Sequence, residues 1–227
     1  VGGKLYSKIG RVEEIKVKHL RDAVALVAET HYPDFDAEVY AHGLSLQRIR
    51  SAWLKPIKTD KEIIKLANKR LDDPTLKCGD LNTAIEVLGY HPNEDALKLK
   101  FYVFDIPVEN VAFKSRRIMM MNFKIEVVED LGLGDVFEFL LPVETNSVDA
   151  RLDLRNEVVG DGWEGLVHAA PDDLYSFNTR AYTTLKDKPR FDGEAFVVGV
   201  EECKNGTGKL LLRASDALSN VTFKCMM

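Results

Sequence analysis

The sequence predicts an α+β fold, antiparallel sheets flanked by helices. Two observations predict it. Short apolar runs of strand character, parted by turn signals such as Lys204-Asn205-Gly206, alternate with segments of helical period. No internal repeat or low-complexity segment runs through the 227 residues, which argues against solenoid and fibrous architectures.

Val1 to Tyr6 reads as a turn entering a strand. In Lys16 to Thr30, the residues Leu20, Ala23, Val24, Val27 and Ala28 recur at helical spacing. Asp34 to Gly43 alternates and ends at a glycine, the pattern of a strand. Ser45 is placed to cap a helix over Leu46 to Leu54, closed by Pro56. A second exposed helix is expected over Asp60 to Arg70, and the stretch to Pro92 reads as polar and irregular. Residues around 44–95 therefore read as a helical insert on the main sheet.

Leu97 to Ile106 opens with alternation and becomes nearly all apolar, as a central strand does, and Pro107 stops it. A helix is expected over Phe113 to Phe123, a strand over Val136 to Pro142, and a helix over Val148 to Val159. Trp163 to Ala169 reads as a short buried strand. Glu194 to Glu201, Gly208 to Arg213 and Val221 to Cys225 complete the set as strands.

Composition narrows the function. Hydrophobic content of 45% and charged content of 30% are those of a globular protein, and no run approaches the roughly 18 apolar residues of a membrane span. A soluble, monomeric, cytoplasmic protein is expected. The net charge of -5 excludes a globally basic nucleic-acid binder but leaves room for local basic faces. Cys78, Cys203 and Cys225 are far apart and odd in number, so they build neither a disulfide framework nor a CxxC metal site; buried thiols are expected.

Four segments, in chain order, carry more. They are Asp36-Ala37-Glu38-Val39-Tyr40-Ala41-His42-Gly43-Leu44-Ser45-Leu46-Gln47; Phe101-Tyr102-Val103-Phe104-Asp105-Ile106, with Arg116 after it; Trp163-Glu164-Gly165-Leu166-Val167; and Leu185-Lys186-Asp187-Lys188, followed by the strand at Asp192-Gly193-Glu194. Singly each is a weak signal. Together, in order and spread over nearly the whole chain, they resemble the motifs of the ATP-dependent DNA ligases of bacteriophage type. The His-Gly-Leu-x-Leu-Gln string is the most particular of them.

The resemblance implies a nucleotidyltransferase (adenylation) domain that moves AMP from ATP to a lysine, then to a DNA 5′-phosphate, until a 3′-hydroxyl displaces it. Such chemistry at phosphorus is mainly positioning and charge neutralisation. It implies ATP and Mg²⁺ as cofactors, nicked duplex DNA as partner, roles in DNA repair and replication, and the host cytoplasm for a phage-encoded chain. By resemblance Lys186 and Lys188 contact the phosphate, with Lys186 the stronger candidate because alternate strand residues face opposite sides. Without the resemblance they would read as a solvated pair at a loop edge.

Glu164 is expected beside the phosphate with the metal ion. Glu38 is expected at the sugar or the metal, or else is an exposed strand carboxylate; Ala37 stands where the family usually has glycine. Phe104 is expected to stack on adenine, the alternative being a plain core aromatic. Ser7-Lys8-Ile9-Gly10 resembles the family's Ser-Arg-x-Gly turn, where Lys8 keeps the charge but loses the bidentate fork. Arg116 is expected either to touch phosphate or to pin its helix.

The family's nucleophile is the lysine of a Lys-x-Asp-Gly motif, and none occurs in these residues. Arg190-Phe191-Asp192-Gly193 has the outline, but arginine stays protonated. The motif's expected place is just before Val1, and the oligonucleotide-binding barrel that follows such domains is also absent. The 227 residues therefore read as one adenylation domain trimmed at both ends and inactive alone. Two alternatives share these features. One is an RNA ligase or mRNA-capping nucleotidyltransferase; the other is a catalytically dead nucleic-acid-binding module, with Lys18, Lys114, Arg116 and Arg117 among its candidate contacts.

Overall fold

A computed structural model describes residues 5–6, 12–32, 34–71, 75–177, 184–190, 192–203, 207–214 and 222–226. The chain divides into two compact units, residues 1–186 and 187–227.

In the first unit, β1 (Leu5–Tyr6) pairs antiparallel with β2 (Val12–Glu13), and α1 (Lys18–Val27) buries Leu20, Ala23, Val24 and Val27 along one stripe. The main sheet joins β3 (Asp36–Tyr40), β4 (Lys100–Asp105) and β5 (Phe137–Phe139) in that order. Its inner face carries Phe101, Val103, Phe137 and Phe139, all buried in one cluster with the α1 stripe. Phe35 packs its ring at 5.8 Å from Phe101, 5.6 Å from Phe123 and 5.5 Å from Phe137.

β3 and β4 run antiparallel, as expected, but β4 and β5 are parallel, with Phe101 opposite Phe137. The reason lies in the connection. α6 (Phe113–Ile125) and a π turn (Glu126–Asp130) form a crossover between them, and a crossover returns the chain in the same direction. The main sheet is therefore mixed.

Four helices lie between β3 and β4: α2 (Leu46–Leu54), α3 (Asp60–Asn68), α4 (Leu81–Leu88) and the single turn α5 (Glu94–Leu97). Ser45 caps α2 by accepting the Arg48 N–H. The α4 helix replaces the irregular segment expected there. Asp80 caps it through the Thr83 N–H at 3.0 Å, and Gly89 ends it at φ +74°, a conformation glycine adopts without strain. α3 and α4 bury Ile63, Ala67, Cys78, Ala84 and Leu88 in a second, smaller core.

α7 (Val148–Gly160), capped by Ser147, buries no residue. The expected buried strand at Trp163–Ala169 shortens to β6 (Leu166–His168), whose Val167 is exposed. Gly165 at φ +138° breaks the extended run between Trp163 and β6. β6 pairs with β7 (Leu185–Asp187).

The second unit is a three-stranded antiparallel sheet, ordered β10 (Thr222–Met226), β9 (Gly208–Ala214), β8 (Ala195–Glu202). Of the cysteines only Cys78 is buried; Cys203 is half-buried and Cys225 exposed. No described helix is long and apolar enough to cross a membrane.

Candidate functional site

Alternation fixes what the outer face of the main sheet presents. Phe101 and Val103 enter the core, so Tyr102 and Phe104 point the other way. On β3 the same parity puts Glu38, opposite Tyr102 in the ladder, on that outer face.

Phe104 occupies a special position. Ala37 pairs with Val103 and Asp36 with Asp105, which leaves Phe104 unpaired in a β-bulge. A bulge adds one residue to one strand and re-aims its side chain. The Phe104 ring is 46% exposed, whereas Phe101 on the same strand is 1% exposed. Phe104 is therefore not a core aromatic.

An aromatic cluster adjoins it. Tyr40 and Tyr102 meet edge to face at 5.3 Å, and Trp163 packs 5.6 Å from Tyr40 and 5.7 Å from Tyr102. His42 stacks on Trp163 at 4.7 Å with the rings 33° apart. Gly162 turns the chain there at φ +88°, a conformation that favours glycine. These contacts bring the Trp163-Glu164-Gly165 segment to the outer face, and Glu164 is exposed. Sequence reasoning missed the roles of Tyr40, His42 and Trp163, although all three stand inside the motifs.

At the bulged end of the strand pair lies an ionic network built on the buried Arg116. Arg116, 5% exposed, donates to both Asp105 oxygens, from Nε at 2.8 Å and from Nη2 at 2.9 Å. Its Nη1 donates to the carbonyls of Val111 and, at 2.9 Å, Asp173. Four of its five N–H donors are thus used inside the protein. Of the two roles expected for Arg116, these bonds describe the helix pin.

Tyr175, whose ring lies 5.2 Å from the Arg116 guanidinium, donates its hydroxyl to Asp36 at 2.6 Å. Burial pushes the Asp36 carboxyl above its ordinary value, and the nearby Asp105 adds to the rise while the Tyr175 bond opposes it. Burial and the Asp36 carboxylate together push the Tyr175 hydroxyl well up. Burial also raises the Tyr102 hydroxyl.

The other expected residues divide as follows. Lys186 is exposed on β7, the partner of the strand that follows Glu164-Gly165. Lys188 is exposed and belongs to the second unit. Lys8 lies outside the described residues. Among the described residues, no three His, Cys, Asp or Glu side chains are grouped to hold a metal ion. A hydrated Mg²⁺ takes only one or two carboxylates and fills its shell with water and phosphate oxygens, so the exposed Glu38 and Glu164 suit it.

Solved DNA ligases are among the structures this chain is similar to. The crystal structure of the Chlorella virus DNA ligase-adenylate matches 98% of this chain and 74% of its own, with a TM-score of 0.52 and 16% identity. A Lig E DNA ligase, from work on DNA binding with a minimal scaffold, matches 60% of this chain at 26% identity and a TM-score of 0.49. This chain spans about half, 51%, of that ligase. No family model and no curated protein matches the sequence. At such identity the likeness to the viral enzyme is one of fold: the chain is folded like that DNA ligase.

Proposed function

We propose that this chain is the adenylation domain of an ATP-dependent DNA ligase of bacteriophage type, receiving ATP on the outer face of its main sheet. The observation that carries the proposal is the exposed Phe104 ring, held in a bulge on the face that also bears Glu38. An open aromatic face suits a base, and a bulge gives up a ladder position in order to aim it. The fold supports the same placement.

In this proposal Phe104 stacks on adenine and Glu38 binds the ribose or the metal ion. Glu164, held through Trp163, takes Mg²⁺ together with phosphate. When bound, that ion neutralises phosphate charge during transfer. Lys186 contacts the α-phosphate side, where an ammonium neutralises phosphate charge. Nicked duplex DNA is the proposed partner, with replication and repair as the setting.

These residues contain no Lys-x-Asp-Gly lysine. A lysine attacks phosphorus only when its amine is held partly deprotonated beside the phosphate. We therefore assign this chain nucleotide binding without lysine-AMP formation.

Titration of the chain with a fluorescent ATP analogue tests the slot. Phe104→Ala is expected to weaken binding by about 1–3 kcal/mol without altering the melting temperature, since its ring is exposed. Unchanged affinity in Phe104→Ala would remove the base from this face. Displacement by GTP as readily as by ATP would favour the capping-type alternative.

A further inference from the structure

The helical insert carries a feature that the nucleotide face does not use. Lys61, Lys65 and Lys69 recur at every fourth residue along α3 and its C-cap, all exposed. The spacing aligns them on one side in a stripe about 12 Å long. None makes an ion pair with a described residue, although the chain holds 36 acidic residues against 31 basic ones.

The flanking cations are all engaged. Lys55 pairs with Glu62, Lys58 donates to the carbonyls of Ser51 and Lys55, and Arg70 donates to the Leu88 carbonyl at 2.7 Å. Helix electrostatics do not explain the stripe either. A cation near a helix C-terminus is favoured, but Lys61 lies in the first turn, where the dipole opposes it.

We propose that this stripe binds the phosphate backbone of duplex nucleic acid. The face offers no exposed apolar side chain between the lysines: Glu62, Leu66 and Asn68 beside them are only half-buried. A protein-docking patch would centre on apolar and aromatic groups, and a membrane-binding helix would add an apolar face. Phosphate needs neither, since its contacts are charge neutralisation with counterion release. The helix is also a firm support. Its first turn is closed by Glu62, which accepts from the Thr59 N–H at 3.0 Å, and Ile63 and Ala67 anchor its inner side.

The inference stands apart from the nucleotide slot, which uses neither α3 nor its lysines. Fluorescence anisotropy of a labelled nicked duplex with the intact chain, across about 50 to 200 mM salt, tests it. K61Q/K65Q/K69Q is expected to weaken binding roughly tenfold or more at the low end and to reduce the log-log salt slope by about 2–3. K98Q/K209Q/K224Q removes the same formal charge from lysines outside α3, Lys224 being paired with Glu201, and it should keep most of the slope. Both triple variants should retain the wild-type melting temperature and nucleotide affinity, and Phe104→Ala should retain duplex affinity. The proposal is overturned by a stripe variant that binds like wild type, by equal losses in both triples, or by no duplex binding at low salt. Stripe-dependent capture by phosphatidylserine vesicles but not by duplex would overturn it too.

Discussion

At Phe104 two residues of β4 oppose one of β3, so the backbone forgoes a ladder pair while the ring turns outward. Directly beside it, Asp105 and Asp36 are bound into the Arg116–Tyr175 network, so the bulge is fastened by charge-assisted hydrogen bonds. Arg116→Ala leaves Asp105 without its cation in a site where that side chain is only 15% exposed. The expected loss is about 3–5 kcal/mol, measured by urea denaturation; a loss below about 1 kcal/mol would show the network to be incidental. Asp36 gives a pH signature. Its carboxyl is raised in the folded protein, so the fold binds that proton more tightly than the unfolded chain does. Its contribution is complete below the ordinary value of 3.8 and is lost as pH rises through the elevated folded value. Asp36→Asn is expected to remove this decline, visible as a flatter stability profile above pH 3.8 than in wild type.

Among the elements, helices were legible where their caps and stripes agreed. Ser45 before Leu46 marked α2 to the residue, and the Leu20–Val27 spacing marked α1, whose ends lie inside the expected Lys16 to Thr30. α4 carried the same kind of signal in Asp80 and Gly89, but its polar surroundings hid the Leu81, Ala84 and Leu88 face. The direction of β5 was not legible, because local alternation is the same for parallel and antiparallel neighbours and the crossover alone decides. Within the insert, Arg48 ties α2 to α5, the turn that leads into β4: its guanidinium lies 3.5 Å over the Tyr90 ring and forks onto the buried Asp95 at 2.8 and 2.6 Å. Neither partner stood out in the sequence, since Arg48 and Asp95 are 47 residues apart. Asp95→Ala leaves Arg48 partly buried without its acceptors and is expected to cost about 2–3 kcal/mol. Hydrogen exchange should show the loss first in α2 and α5; uniform loss across β3 to β5 would contradict a local anchor.

For the whole molecule, strand alternation made it legible that Glu38 and Phe104 share a sheet face. The packing of Trp163, which carries the Glu164 segment to that face, was not legible in the sequence. The aromatic cluster was not legible because Trp163 stands far along the chain from Tyr40 and His42, and only the fold brings its ring to 5.6 Å and 4.7 Å from theirs. The central claim is the proposal that these residues bind ATP beside Phe104 without forming a lysine-AMP bond. The most direct measurement is retention of α-labelled ATP by the intact chain with Mg²⁺, read before and after denaturation. The account predicts saturable label on the native chain, reduced in Phe104→Ala, and none after denaturation. Label that survives denaturation would reveal a lysine-AMP bond and contradict it, as would a native chain that retains no label.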